Sequence, residues 1–84
     1  MMPTDTLAAL EIAHFFMSQP TPEQITAFHP SEAASDRFYE LIDAERERPL
    51  TLDEAQELES YVAVEYLVGI VKAEAFRKLA QKAS

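Results

Sequence analysis

Glu11 and His14 are the two side chains whose spacing comes nearest to a metal site. They lie three positions apart in a stretch with helical periodicity, and di-iron helical bundles use this Glu-x-x-His spacing with carboxylates from other helices. Here the pair falls on a narrow polar stripe together with Ser18, which indicates that it faces solvent. Glu65 is a candidate third ligand, but no sequence feature brings it near. We therefore expect no metal ion and no cofactor.

The remaining polar residues give no catalytic arrangement. The only two histidines are 15 positions apart on different elements, and His29 precedes Pro30 in a turn, where we expect it to be exposed. No nucleophile with an adjacent base, phosphate-binding loop or zinc motif is present. Tyr61 and Tyr66 are typical of interface or core residues with a solvated hydroxyl group. The sequence predicts no catalytic residue.

Prolines and capping residues divide the chain into helices. Thr21-Pro22-Glu23-Gln24 and Thr51-Leu52-Asp53-Glu54 are capping boxes, and Pro30 and Pro49 end the preceding helices. The pattern predicts one all-α domain over residues 1–84, with helices near 4–17, 22–28, 32–47 and 52–81. The short link between the last two helices predicts an antiparallel αα-hairpin, so the fold is a small bundle of about four helices dominated by this hairpin.

Residues 61–71 form an apolar collar on the long last helix. Taking 100° per residue, one broad face fits packing within the chain; its apolar members are Ala55, Leu58, Tyr61, Val62, Ala73, Phe76, Leu79 and Ala80. The opposite side is also apolar, and soluble monomers avoid a large exposed apolar patch. We therefore expect a homodimer that completes the bundle, with an interface at Val64, Leu67, Val68, Ile70 and Val71.

Two residues interrupt the collar. Gly69 weakens a helix by roughly 1 kcal/mol relative to alanine, so we expect it to allow close contact with another helix, the alternative being a tolerated kink. Glu65 is a carboxylate among apolar residues, and an unpaired buried charge is costly. We expect Glu65 to be a buried or rim charge, paired with Lys72 or Arg37, protonated, or exposed at the edge of an interface.

The charge is strongly asymmetric. The formal net charge is −8, with about −11 on residues 1–71 and about +3 on residues 72–84. An acidic body repels nucleic acid and favours a basic protein partner, although acidic residues also keep a small protein soluble. No positively charged segment precedes the first apolar run, and the collar is too short to span a membrane. We expect a cytoplasmic protein without membrane association.

Four segments carry a resemblance to a known group. Thr21-Pro22-Glu23-Gln24-Ile25 and Pro49–Leu58 are followed by Val64–Val68 and Lys72–Ala75. In this order they resemble small, uncharacterised bacterial helical proteins of a type common in cyanobacteria. The resemblance covers residues 20–80 and implies an antitoxin-like partner of a nuclease-like protein, with no catalytic residues. Members often have a more basic end than this chain, which has Glu74 there.

Together these patterns predict a non-enzymatic protein-interaction module. We expect a homodimer joined through the last helix, and an antitoxin-like neutraliser of a basic partner is a more specific version of this hypothesis. Two alternatives stay open: a nucleic-acid-binding regulator that uses the basic end of the last helix, and a metal-binding helical protein. The sequence leaves the orientation of the two copies open.

Overall fold

The computed structural model describes residues 6–83, which form four α-helices and no β-strand. The helices are α1 (Leu7–Met17), α2 (Pro22–Ala27), α3 (Glu32–Glu47) and α4 (Leu52–Ala83). The predicted all-α class is therefore confirmed. The predicted start of the first helix near residue 4 lies outside the described residues, and α4 ends two residues later than expected.

Side-chain caps fix where the helices begin. The hydroxyl of Thr6 accepts a hydrogen bond from the backbone N–H of Ala9 at 3.1 Å, so α1 begins directly after Thr6. Both predicted capping boxes form: the Thr21 and Thr51 hydroxyls accept from the backbone N–H groups three residues on, and Gln24 and Glu54 accept from the threonine N–H groups. Capping residues close to each helix start in the sequence therefore mark these boundaries.

The predicted hairpin of α3 and α4 is present and antiparallel. Arg48, just after α3, contacts Glu54 in the first turn of α4, whereas Arg37, one and a half turns into α3, contacts Glu57 further along α4. The ring of Phe38 lies 6.0 Å from that of Tyr61. Pairing of late α3 residues with early α4 residues is what a four-residue connection requires.

α4 is the central element of the molecule. Its 32 residues extend for about 48 Å at 1.5 Å per residue, and the longest dimension of the molecule is 51 Å. α1, α2 and α3 all pack against it. α1 runs parallel to α4, because the hydroxyls of Thr6 and Ser60 are 3.2 Å apart while Phe16 and Val71 line one small cleft.

The core lies between α4 and the other helices. One face of α4 contributes Leu58, Tyr61, Val64, Val68, Val71 and Ala75, which we call the inner face. Its spacing of three and four residues is that of a coiled-coil seam. Leu41 of α3 is the largest fully buried side chain. Among residues 6–83, no helix combines the length and apolar character needed to cross a membrane.

Candidate functional site

The outer face of α4 is the most unusual surface of the molecule. We define it as the residues that point away from the other helices: Glu59, Val62, Tyr66, Gly69, Ile70, Ala73, Phe76 and Arg77. At 100° per residue they occupy an arc of about 120°. Tyr66 is 73% exposed, Phe76 59% and Val62 51%. A second apolar stripe on one helix, charged only at its two ends, is typical of an interface.

Gly69 lies in the middle of this outer face. A Cβ atom placed on it would have none of the described atoms within 4 Å, apart from its own helix and chain neighbours. Nothing in the described part of the chain therefore requires a glycine at this position. The predicted close helix contact is not made within one copy and stays a prediction for a contact between copies.

Of the predicted interface residues, Ile70 lies on the outer face and Leu67 is exposed beside it. Leu67 and Ile70 are 45% and 47% exposed. Val64, however, is 9% exposed and belongs to the core, Val68 is half-buried against it, and Val71 is half-buried at the cleft that Phe16 also lines. The expectation that all five lie on the uncovered side is wrong for Val64, because the helix is rotated relative to the predicted orientation.

Two other expectations are also wrong. Val62 and Phe76 were predicted to pack within the chain, yet both are more than half exposed. Together with Tyr66 they form the exposed apolar part of the outer face, and sequence reasoning did not place Val62 and Phe76 there. The signal was present in the sequence, since 59, 62, 66, 69, 73 and 76 follow a regular spacing of three and four. The inner-face residues follow the same spacing, so the spacing alone does not show which of the two faces packs within the chain.

Glu65 is exposed and lies at the rim of a cleft of about 100 Å³ between α1, α3 and α4, which Phe38, Tyr39 and Tyr61 also line. It is therefore a rim charge and not a buried one. The predicted partner Arg37 is engaged elsewhere, donating to both carboxylate oxygens of Glu57 at 2.7 Å and to Glu40 at 3.0 Å. Glu65 needs no partner because water solvates it.

Glu11 has a structural role that the sequence did not reveal. Its carboxylate accepts hydrogen bonds from the backbone N–H of Ser31, at 2.8 Å, and from the Ser31 hydroxyl. Ser31 in turn caps α3 by accepting from the N–H of Ala34. Glu11 therefore joins α1 to the start of α3 through a contact at the protein surface, which the sequence did not predict. The contact joins residues 20 positions apart, and no local pattern indicates it.

The candidate metal pair does not form a site in the described residues. His14 is exposed, and Glu11 is engaged with Ser31. Within residues 6–83 no three side chains of the His, Cys, Asp or Glu type come together at metal-binding distance.

Tyr61 and Tyr66 have different environments. Tyr61 is buried, and burial raises the pKa of its phenol, whereas Tyr66 is exposed.

Two arginine–carboxylate pairs support the hairpin. Arg48 donates to both oxygens of Glu54 at 2.8 Å and, with the backbone N–H of Thr51, lowers the pKa of that carboxyl to about 2. Arg37 likewise lowers the pKa of Glu57 by hydrogen bonding. Bidentate pairs of this kind favour the ionised carboxylate and fix the orientation of the two helices. They are structural and have no neighbouring reactive group.

The overall dimensions also indicate uncovered surface. The chain exposes 6150 Å², whereas a folded monomer of 9.5 kDa exposes about 5,000 Å². Its radius of gyration is 15.0 Å, against about 12 Å for a compact chain of 84 residues. The excess of about 1,100 Å² exceeds the roughly 800 Å² that one partner contributes to a standard interface.

Comparison with known proteins finds no matching family model, no matching curated protein and no matching solved structure. The resemblance to antitoxin-like bacterial helical proteins therefore stays a prediction. The outer face of α4 is the surface feature of this chain that bears most directly on function.

Proposed function

We propose that the protein is a non-enzymatic interaction module that forms a homodimer through the outer face of α4. The observation that carries the proposal is the exposure of Val62, Tyr66, Ile70 and Phe76 on one continuous helix face. Covering these side chains with a second copy removes apolar area from water, at about 25 cal/mol per Å² before the entropic cost of association. The small residues Gly69 and Ala73 between them favour close approach of a facing helix.

A matched pair of variants tests the proposal. Tyr66 and Tyr39 are both exposed tyrosines on helices, 73% and 63% respectively, but only Tyr66 lies on the outer face. Light scattering should give about twice 9.5 kDa for the unmodified chain and for Tyr39→Asp, and 9.5 kDa for Tyr66→Asp. Circular dichroism should show the same helix content in all three. Equal masses for the two variants would refute the assigned interface.

Changing Val68, one of the predicted interface residues, to aspartate is a weaker test. Val68 is half-buried against the core of its own chain. A charge placed there would destabilise the fold as well as any dimer, because burying an unpaired carboxylate is costly. Loss of assembly in that variant would not identify the interface.

The acidic surface supports a basic protein as the further partner of the dimer, in the manner of an antitoxin-like neutraliser in the cytoplasm. The formal net charge of −8 includes exposed carboxylates along α3 such as Asp36, Glu40 and Glu45. Oppositely charged surfaces accelerate association and suppress wrong partners. We expect the protein to co-purify with a basic protein encoded by a neighbouring gene, and we expect high salt to separate the two. Purification with no basic protein would contradict this proposal.

A nucleic-acid-binding role is the alternative that the end of α4 supports. Arg77, Lys78 and Lys82 are exposed there. The acidic residues of the rest of the chain oppose phosphate binding, so we expect no gel shift with DNA or RNA at physiological salt. A shift at low salt that disappears steeply as salt is added would favour this alternative.

A further inference from the structure

The charge along α4 is divided between its two halves. Residues 52–67 contain five acidic residues and no basic residue, a charge of −5. Residues 68–83 contain four basic residues and Glu74, a charge of +3. Two parallel copies would place acidic half against acidic half and basic half against basic half. Two antiparallel copies would place opposite charges together. Their helix dipoles would also run in opposite directions, which favours the pairing.

The outer face shows the same division of charge, with an acidic residue at one end and a basic residue at the other. Its apolar part ends in Glu59 on one side and Arg77 on the other, and both are exposed. The two residues are each nine positions from Val68. They also lie at the same angle around the helix, since 18 residues make five turns. Arg77 contacts Glu74 within its own helix, so its side chain already extends along the surface.

Resting on the proposed dimer, we infer that two copies pair their α4 helices antiparallel, about a two-fold axis near Val68. In this register Glu59 of each copy faces Arg77 of the other, and Tyr66 packs against Ile70 of the other. Gly69 lies beside the axis, where the two helix backbones come closest. A two-fold axis makes every contact occur twice, so one favourable charge pair contributes at both ends of the interface.

Distance measurement between spin labels tests the orientation directly. The chain has no cysteine, so Ala80→Cys provides a single labelling site on the exposed side of α4. Position 80 is twelve residues from the axis, which separates the two labels by roughly 36 Å along the helices in the antiparallel pair. In a parallel pair they would be about 10 Å apart, the distance between packed helices. The short distance would overturn the inference while leaving the dimer intact.

Charge reversal tests the register. Glu59→Arg alone and Arg77→Glu alone should each raise the dissociation constant roughly tenfold, because each creates two like-charge contacts per dimer. The double variant should return it to within about threefold of the original value. Glu45→Arg makes the same charge change on an exposed site of α3 and should have little effect. Single variants that bind as well as the original chain would overturn the register.

The two tests separate this inference from the proposed function. A mass of 9.5 kDa for the unmodified chain would refute the dimer itself. A dimeric mass with a short label distance would refute only the antiparallel arrangement, and a dimeric mass with single charge variants that bind as tightly as the original chain would refute only its register. A dimeric mass, a long distance and rescue by the double variant together support both.

Discussion

The two apolar faces of α4 have the same spacing and similar side chains, but opposite environments. The inner face carries Leu58, Tyr61 and Val64, each 9% exposed or less. The outer face carries Val62, Tyr66 and Ile70, each about half exposed or more. α1, α2 and α3 are too few and too short to surround a helix of 32 residues, so they cover one face only. The comparison shows that apolar composition alone does not determine which seam a chain buries within itself.

The largest expected effect comes from truncating one leucine on each side of α4. Leu58→Ala should lower the free energy of unfolding by about 2–4 kcal/mol, because it leaves a cavity in the core. Leu67→Ala, at a 45% exposed position, should lower it by less than about 1 kcal/mol. Both are measured by urea denaturation in the Tyr66→Asp chain, so that dimer dissociation does not contribute. Equal losses would contradict the distinction between the buried side and the exposed side of α4.

Helix boundaries could be predicted from the sequence because the signals are local. Thr21, Ser31 and Thr51 cap helices at the expected positions, and the hairpin follows from the short link after α3. The rotation of α4 could not be predicted, because the collar is apolar on almost every side and both seams satisfy the same periodicity. The sequence placed Val64 on the uncovered side of α4 and Val62 and Phe76 on the packed side, which is the reverse of where they lie.

The polar contacts were harder to predict for a different reason. Glu11 with Ser31 and Arg37 with Glu57 each join residues 20 positions apart. Which carboxylate an arginine selects depends on the packing of the helices. The sequence suggested Glu65 as a partner of Arg37, whereas the fold brings Glu57 and Glu40 to it.

The second prediction concerns the edge of the inner face, where Arg37 bridges α3 to α4. Arg37→Gln should lower the free energy of unfolding at neutral pH by about 1 kcal/mol, since it removes a bidentate but partly exposed pair. Arg46→Gln is the matched control; its ion pair with Asp43 spans 3.9 Å on the surface, and we expect no measurable change. A similar loss in both variants would contradict a special role for the bridge.

The pH dependence of that pair has a defined sign. Arg37 lowers the pKa of Glu57 below its ordinary value of 4.5 in the folded chain. Its contribution to stability is therefore fully present above about pH 5 and is lost as the pH falls through the lowered value. The difference between the original chain and Arg37→Gln should be largest at neutral pH and should close on acidification. A difference that grows at low pH would contradict the ion pair.

The third prediction concerns the centre of the outer face. In the monomeric Tyr66→Asp chain, Gly69→Ala should raise the free energy of unfolding by up to about 1 kcal/mol, because the methyl group meets open space and alanine favours the helix. Ala73→Gly is the reverse control and should lower it by a similar amount. In the dimerising chain, Gly69→Leu should weaken assembly by separating the two helices. Unchanged assembly would show that no helix crosses there.

The smallest expected effect is that of salt on the dimer. Raising the sodium chloride concentration from about 0.05 M to about 0.5 M should weaken assembly only a few-fold, because screening acts on the terminal charge pairs and not on the apolar contacts. Titration by fluorescence anisotropy of a labelled copy gives the dissociation constant at each salt concentration. Dissociation that rises a thousandfold would indicate an interface held by charge.

Sedimentation equilibrium of the unmodified chain tests the central claim most directly. Between about 1 and 100 µM, the outer face of α4 predicts a molar mass that rises to about twice 9.5 kDa and is lost in Tyr66→Asp. A mass that stays at 9.5 kDa over the whole range would contradict the claim that a second copy covers this face.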